Sequence, residues 1–474
     1  MKHERRIFIK NTLLLTGGLF LQNDTFSKTM IRKNAASRIR KEINTLSATD
    51  PDLLAYKKAV SVMKQRPASD PTSWSFQAKI HQNFCPHRNW FFLPWHRAYL
   101  KQFEEICRAA SGQPDFNLPY WNWTKNRSVP ATFWGANNVL MDSSRRINAQ
   151  SKALEEMVGT INIEKILNKQ SFEDFGSYAA TSQRPTDGSG ASGSLEGSPH
   201  NHIHNFIGGN MGSFISPTDP IFWLHHANID RLWATWNDRG HANPTKTTYT
   251  NYIFKKNFNN ASGQAVDIKT GDMSDQNALG YLYDTQLSGL RLGPVNSSSF
   301  AFISSTKLVN SNQFSLSEKH PTSINLTGFK KLYQSAFPQV TSSLPTKSRE
   351  VKAIISDINP LKEEDYFVRV FIDYPNLNKD TPISDKHYVG SFAFFASEHG
   401  DHPAAVGGDM KAMHTPKLTY VFDITNNLKQ LFLGNSENLK DDIKIQLLAI
   451  PYRANGKAAL IAGKVEIVIA QKEV

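Results

Sequence analysis

Cysteine is almost absent from this chain: Cys85 and Cys107 are the only two in 474 residues. Two thiols cannot make a disulfide framework, so the fold has to rest on a packed core. No CxxC pair accompanies the histidines, which removes the commonest cysteine-rich metal sites. Basic charge is also scarce once the start of the chain is set aside. Residues 1–40 carry +7 of the net +12. No basic stripe survives beyond them, so no nucleic-acid partner is expected. Long apolar runs are missing too. The run LLLTGGLFL at 13–21 is too short to cross a bilayer as a structural helix, and no stable membrane span is expected. No internal repeat is found. What remains is globular in composition, 39% hydrophobic and 20% charged, and long enough for two domains.

The charged head ERRIFIK, followed by that short apolar core, reads as an export signal over 1–28. The Arg5–Arg6 pair with Phe8 and Lys10 is similar to a twin-arginine leader. The protein is therefore expected in the periplasm or outside the cell. No A-x-A cleavage motif follows, so the mature start is not read. Residues 38–66 read as an amphipathic helix broken at Asp50–Pro51, an aspartate and a proline well placed to start a helix. From 76 to 108 the pattern is helical, interrupted at Cys85–Pro86, with Pro94 opening a new helix. A short helix is expected at 164–167, and GSGASGSLEGS at 188–198 reads as a flexible loop. DPIFWLHHANIDRLWATW at 219–236 is the clearest helix, capped by Asp219. From Lys352 onward, alternating runs rich in Val, Ile, Phe and Tyr predict strands packed as an all-β sandwich.

Eight of the fifteen histidines fall in two windows, 81–96 and 200–226. His200 and His204 are four apart and share a helix face. His202 between them faces elsewhere and reads as a surface residue. His225 and His226 are adjacent, so at most one can join the same metal. Neither window holds a carboxylate at the spacing of two-histidine, one-carboxylate sites. Three imidazoles per metal, twice, suit copper or zinc equally by ligand type.

FFLPWHRAYL (91–100) and DPIFWLHHANIDRLW (219–233) together resemble the two copper signatures of the tyrosinase, catechol oxidase and polyphenol oxidase family, the type 3 dicopper proteins that include haemocyanins. The resemblance covers 38–245. It implies a multidomain chain: a mainly α dicopper domain with a four-helix bundle core at 38–245, a connecting segment at 246–345, and at 346–474 an all-β, sandwich-like C-terminal domain similar to that of plant polyphenol oxidases, which covers the copper entrance. It implies two copper ions, the first on His81, His87 and His96, the second on His200, His204 and His226, with His225 standing behind them. Cys85, two before His87, is placed as in family members that bond this sulfur to the histidine ring; a free thiol or a disulfide to Cys107 are the alternatives. Glu196 and Asn201 match the pair that holds a water and takes the proton of an incoming phenol. Phe214 matches an aromatic gate over the copper. Asp230 and Arg231 match a pair that buttresses the histidine helices.

The activity this implies is oxidation of o-diphenols to o-quinones with O2, joined by o-hydroxylation of monophenols. A non-enzymatic oxygen-binding protein is the alternative. The implied partners are small phenols and molecular oxygen; a copper-delivery partner is left open. The loop at 398–416, with three histidines and two methionines, is long for a hairpin. It is expected to reach into the site, to pass copper to it, or simply to lie at the surface.

Overall fold

The first helix, α1 (Pro51–Gln65), starts where the sequence says it should. Pro51 has no N–H to satisfy and Asp50 accepts the amide of Asp52. Leu53, Tyr56, Ala59, Val60 and Met63, three and four apart, form its buried face. These elements belong to a computed structural model of the chain, which describes residues 38–179, 190–287, 300–316, 320–337, 349–359, 366–395, 417–432, 439–452 and 463–472. The leader and the loop at 398–416 lie outside the described residues.

Residues 38–45 are not helix. Arg38–Arg40 is a strand, β1, paired in parallel with Tyr281–Tyr283, and Ile43–Thr45 is a single 3-10 turn. Arg40 explains the difference: it is fully buried, and its guanidinium bonds Glu104, Asp230 and Tyr283. Those long-range partners override the local helical pattern. Helix α2 (Trp74–Phe84) is capped by Ser73 and ends at Cys85, which is extended because Pro86 follows. Helix α3 (Phe92–Ser111) begins two residues before Pro94, whose missing N–H costs nothing in the first turn. It stops at Gly112 in the left-handed conformation. The expected helix at 164–167 is longer, α4 (Thr160–Leu167).

The end of the expected loop at 188–198 is wound rather than open. Glu196–His200 forms a π-type turn leading into α5 (Asn201–Ile207), and its residues are buried. Pro199 withholds an amide inside this turn, which favours the widened winding. Helix α6 (Ile221–Asp238) follows Asp219, whose side chain accepts the amide of Ile221. One aromatic core joins α1, α3 and α6.

The C-terminal strands form two antiparallel four-stranded sheets. One runs Leu418–Asp423, Arg349–Ile358, Lys464–Lys472, Phe300–Asn310; the other runs Thr322–Thr327, Asp442–Pro451, Tyr366–Ile372, Tyr388–Ala393. Their inner faces share one core, so this is a sandwich. Alternation along Tyr366–Ile372 does the sorting: Tyr366, Val368, Val370 and Ile372 enter the sandwich, whereas Phe367 enters the helical core. Phe300–Asn310 and Thr322–Thr327 come from the segment read as a connector, so the sandwich begins earlier than residue 346. Residues 38–474 form one unit. Its two halves are tied by an edge contact, Ser192 N to Thr419 O at 3.1 Å, and by Lys352, which bonds Asp174 at 2.5 Å and also Glu350. Gly197 lets the Tyr420 ring come close, since a Cβ there would stand 3.2 Å from it.

Candidate metal centre

Five segments of helix and turn converge on eight buried groups, seven histidines and Cys85. His81 comes from the last turn of α2, His87 from the link after Pro86, His96 from α3, and His200 and His204 from successive turns around α5. His225 and His226 come from α6. Atoms able to bind a metal lie within 4.8 Å of one another in each of two groups: His81, Cys85, His87 and His96, and His200, His204, His225 and His226. The groups abut: the rings of His96 and His226 stack at 4.1 Å, and those of His87 and His200 lie 5.7 Å apart. Burial pushes the pKa of His87, His96, His204 and His226 well down and that of His200 to about 3. They are neutral near pH 7, the form in which an imidazole nitrogen can bind a metal.

Hydrogen bonds orient the rings. Nδ1–H of His81 donates to Phe214 O (2.7 Å), that of His96 to Phe92 O (2.8 Å), and that of His204 to Met211 O (2.6 Å). That of His200 donates to Asn201 Oδ1 (2.9 Å). Each such bond leaves the lone pair on Nε2 for a metal. The Nε2 atoms of His204 and His226 are 3.4 Å apart, and His200 Nε2 is buried without a hydrogen-bond partner. Buried neutral imidazoles whose nitrogens converge within metal-binding reach are the donor arrangement a metal ion requires. The donors fit two soft-to-borderline metal ions such as copper. His202 does face away, yet it is buried: Leu154 N donates to its Nε2 and its Nδ1 meets Tyr452 OH. It is a core histidine, because the sandwich covers the side of α5 that the sequence leaves looking exposed.

Around this centre, Asp230 accepts from Arg97, Arg40, Tyr281 and Tyr283, and so ties α3 beside His96 to α6 below His226. Arg231 bonds Asn228 and lies over the Tyr120 ring. Glu196 is buried, accepts from Arg88 N and Ser177 Oγ, and burial raises its pKa to about 7. Phe214 is half-buried, its ring 5.8 Å from that of His87.

A profile of the common central domain of tyrosinase matches residues 62–160 and 136–239, the span that carries all these histidines. A tyrosinase from Hahella sp. is 28% identical over 457 residues, 85% of this chain and 94% of that protein. Residues 62–239 carry the central domain of the tyrosinase family. The (+)-larreatricin hydroxylase of Larrea tridentata is 27% identical over 87% of this chain and 75% of that protein. The fold is shared with a latent apple tyrosinase: TM-score 0.66, 23% identity, 92% of this chain and 98% of the other.

In this chain the sandwich reaches into the centre that the tyrosinase-type domain carries. Phe395, just past Tyr388–Ala393, lays its ring 4.1 Å from that of His204, 4.8 Å from His87 and 5.6 Å from His200. The segment is pinned from below: Asn201 Nδ2 donates to Ala393 O (2.9 Å) and Asn205 Nδ2 to Phe394 O (2.5 Å). Tyr420 OH also donates to Ala393 O. The space left among His87, Glu196, Asn201, Phe395 and Tyr420 is about 10 Å³, whereas pockets for small molecules usually hold roughly 300 Å³ or more. A larger cleft of about 350 Å³ beside Glu42, Tyr120 and Asp284 has no histidine, so we place the site where the donors converge. Sequence reasoning missed Phe395, because an aromatic residue in a strand pattern reads as core. It also missed Asn205.

Cys85 and Cys107 are both free and buried, with no disulfide between them. Cys85 Sγ lies 3.6 Å from Nε2 of His87 and 3.4 Å from Nε2 of His96. The sulfur stands against both rings and slightly nearer that of His96, so the thioether to His87 is a proposal that the mass of the protein decides. Protein matured with copper and oxygen should be lighter than its sequence by the mass of two hydrogens, with one cysteine resisting alkylation. Alkylation of both cysteines in matured protein contradicts the bond.

Proposed function

We propose that this protein is a copper-dependent phenol oxidase: it converts o-diphenols to o-quinones with O2 and hydroxylates monophenols at the ortho position. The observation that carries this reading is the convergence of six buried imidazoles, four of which, His81, His96, His200 and His204, commit Nδ1 to an oxygen acceptor and so leave Nε2 for a metal. His81, His87 and His96 hold the first metal ion, and His200, His204 and His226 the second. Two copper ions in this cradle supply the redox chemistry that couples phenol oxidation to reduction of O2.

The chain's own residues do the rest. Phe214 borders the approach to the first trio, and its carbonyl aims His81. Glu196 is the proton acceptor for the phenol hydroxyl, with Asn201 beside it. Burial favours the protonated carboxyl, so the charged base accumulates only as pH rises through about 7. Monophenol hydroxylation should therefore climb with an inflection near pH 7, while diphenol oxidation, which demands less of that base, should not share it. Glu196→Gln should remove the inflection and lower monophenol turnover by roughly a hundredfold; an unchanged monophenol profile in that variant rules Glu196 out.

The C-terminal sandwich keeps this site shut in the intact chain, with Phe395 as the plug. Segregation of the enzyme by export on the leader at 1–28 belongs to the same proposal. The assay is direct: copper-loaded protein, trimmed ahead of the sandwich or opened at Phe395, given an o-diphenol. Quinone formation with oxygen uptake is expected. Reversible oxygen binding without quinone would make it an oxygen-binding protein instead.

A further inference from the structure

The adjacent pair His225–His226 poses a choice that spacing alone leaves open, since both rings are buried in the same cluster. Trp123 resolves it. The indole Nε1–H points at His225 Nδ1 at 3.2 Å. An indole nitrogen only donates, so Nδ1 of His225 must accept. A neutral ring then carries its proton on Nε2. This is the reverse of His81, His96 and His204, whose Nδ1 faces a carbonyl oxygen. It is also the reverse of His200. There the assignment is firm: Asn201 Nδ2 must donate to Ala393 O, which leaves Oδ1 to accept from His200.

The indole is not free to swing away. Trp123 is fully buried at the start of a turn, and the residues before it are strapped to the helix it serves: Trp121 N donates to Leu224 O at 3.1 Å, one residue before His225. Nε2 of His225 is buried and has no hydrogen-bond partner, although the ring lies 5.4 Å from that of His200 and 5.0 Å from that of His204. To bind a metal through Nε2, His225 would have to move its proton to Nδ1. That proton would meet the indole N–H head-on, losing the bond and leaving two buried donors facing each other.

We propose that Trp123 is a positioning residue that keeps His225 out of the metal's coordination by fixing its tautomer, and so selects His226 from the pair. The inference rests on the reading of the cluster as a copper site. It gives the indole a role in metal-site composition that packing alone does not require.

Two measurements test it, and they fail separately. The first uses metal-free wild-type protein with 15N-labelled histidine. The two-bond proton–nitrogen spectrum should show the Nε2–H pattern for His225, identified by its disappearance in His225→Gln. An Nδ1–H pattern overturns the proposal whether or not the protein binds copper. The second uses copper(I)-loaded protein and a chelator in excess. Trp123→Phe keeps the aromatic bulk and loses only the donor. One of the two ions should leave roughly tenfold more slowly, the size of effect that partners behind a ligand usually have. Trp123→Phe combined with His225→Gln should return to the wild-type rate. Slow release that survives His225→Gln, or release at the wild-type rate in Trp123→Phe, contradicts the proposal. Wild-type protein that takes up no copper defeats the copper reading itself and leaves the tautomer measurement standing.

Discussion

Phe395→Ala should raise diphenol oxidation by the intact, copper-loaded protein by roughly one to two orders of magnitude. The estimate follows from what holds the plug. A buried phenylalanine side chain stabilises by about 1.5–3 kcal/mol. The hydrogen bonds that Asn201 and Asn205 give to the carbonyls of residues 393 and 394 add about 1 kcal/mol each. A closed state favoured by roughly 4 kcal/mol leaves about one molecule in a thousand open, and losing the ring shifts that by up to about a hundredfold. The gain should appear in turnover and in the apparent affinity for bulky diphenols, with copper content unchanged. Equal activity in wild type and variant would mean that substrate reaches the metal by another route.

His96→Gln should do the opposite, abolishing oxidation by three orders of magnitude or more, as loss of an essential catalytic group does. The ring of His96 stacks on that of His226, so its loss strips a ligand at the seam between the two trios. His202→Gln is the matched control. His202 is as deeply buried and lies between two proposed ligands in sequence, yet it bonds Leu154 and Tyr452. It should cost stability and leave copper content and diphenol turnover near wild type, because its nitrogens face the helix–sandwich contact. Comparable loss in both variants would show that burial, not ligation, explains the effect of His96→Gln.

Much of this centre was legible in the amino acids. The four-residue spacing of His200 and His204, the Asp219 start of the helix carrying His226, and the turn that Pro86 forces after Cys85 are local rules that the surroundings do not override. The strands after Lys352 announced themselves by alternation. What stayed hidden depends on distant partners. Residues 38–40 read as helix until Arg40 is seen bonding Glu104 and Asp230 from across the core. His202 read as surface because the sandwich that buries it lies some two hundred residues on. The strands Phe300–Asn310 and Thr322–Thr327 sit in a serine-rich stretch, and their place in the sheets is set by pairing with strands more than a hundred residues later. Within His225–His226 spacing leaves the choice open and only the resemblance names His226; the indole that faces His225 lies a hundred residues earlier. Phe395 looked like any core phenylalanine; only its place over three histidines marks it as a plug.

The most direct test pairs metal analysis with oxygen consumption in the Phe395→Ala protein, where a closed site cannot mask activity. Two copper ions per chain, oxygen uptake with an o-diphenol, and the loss of both uptake and part of the copper when His96→Gln is added are the results this account predicts. Copper-replete Phe395→Ala protein that consumes no oxygen and forms no quinone would contradict it.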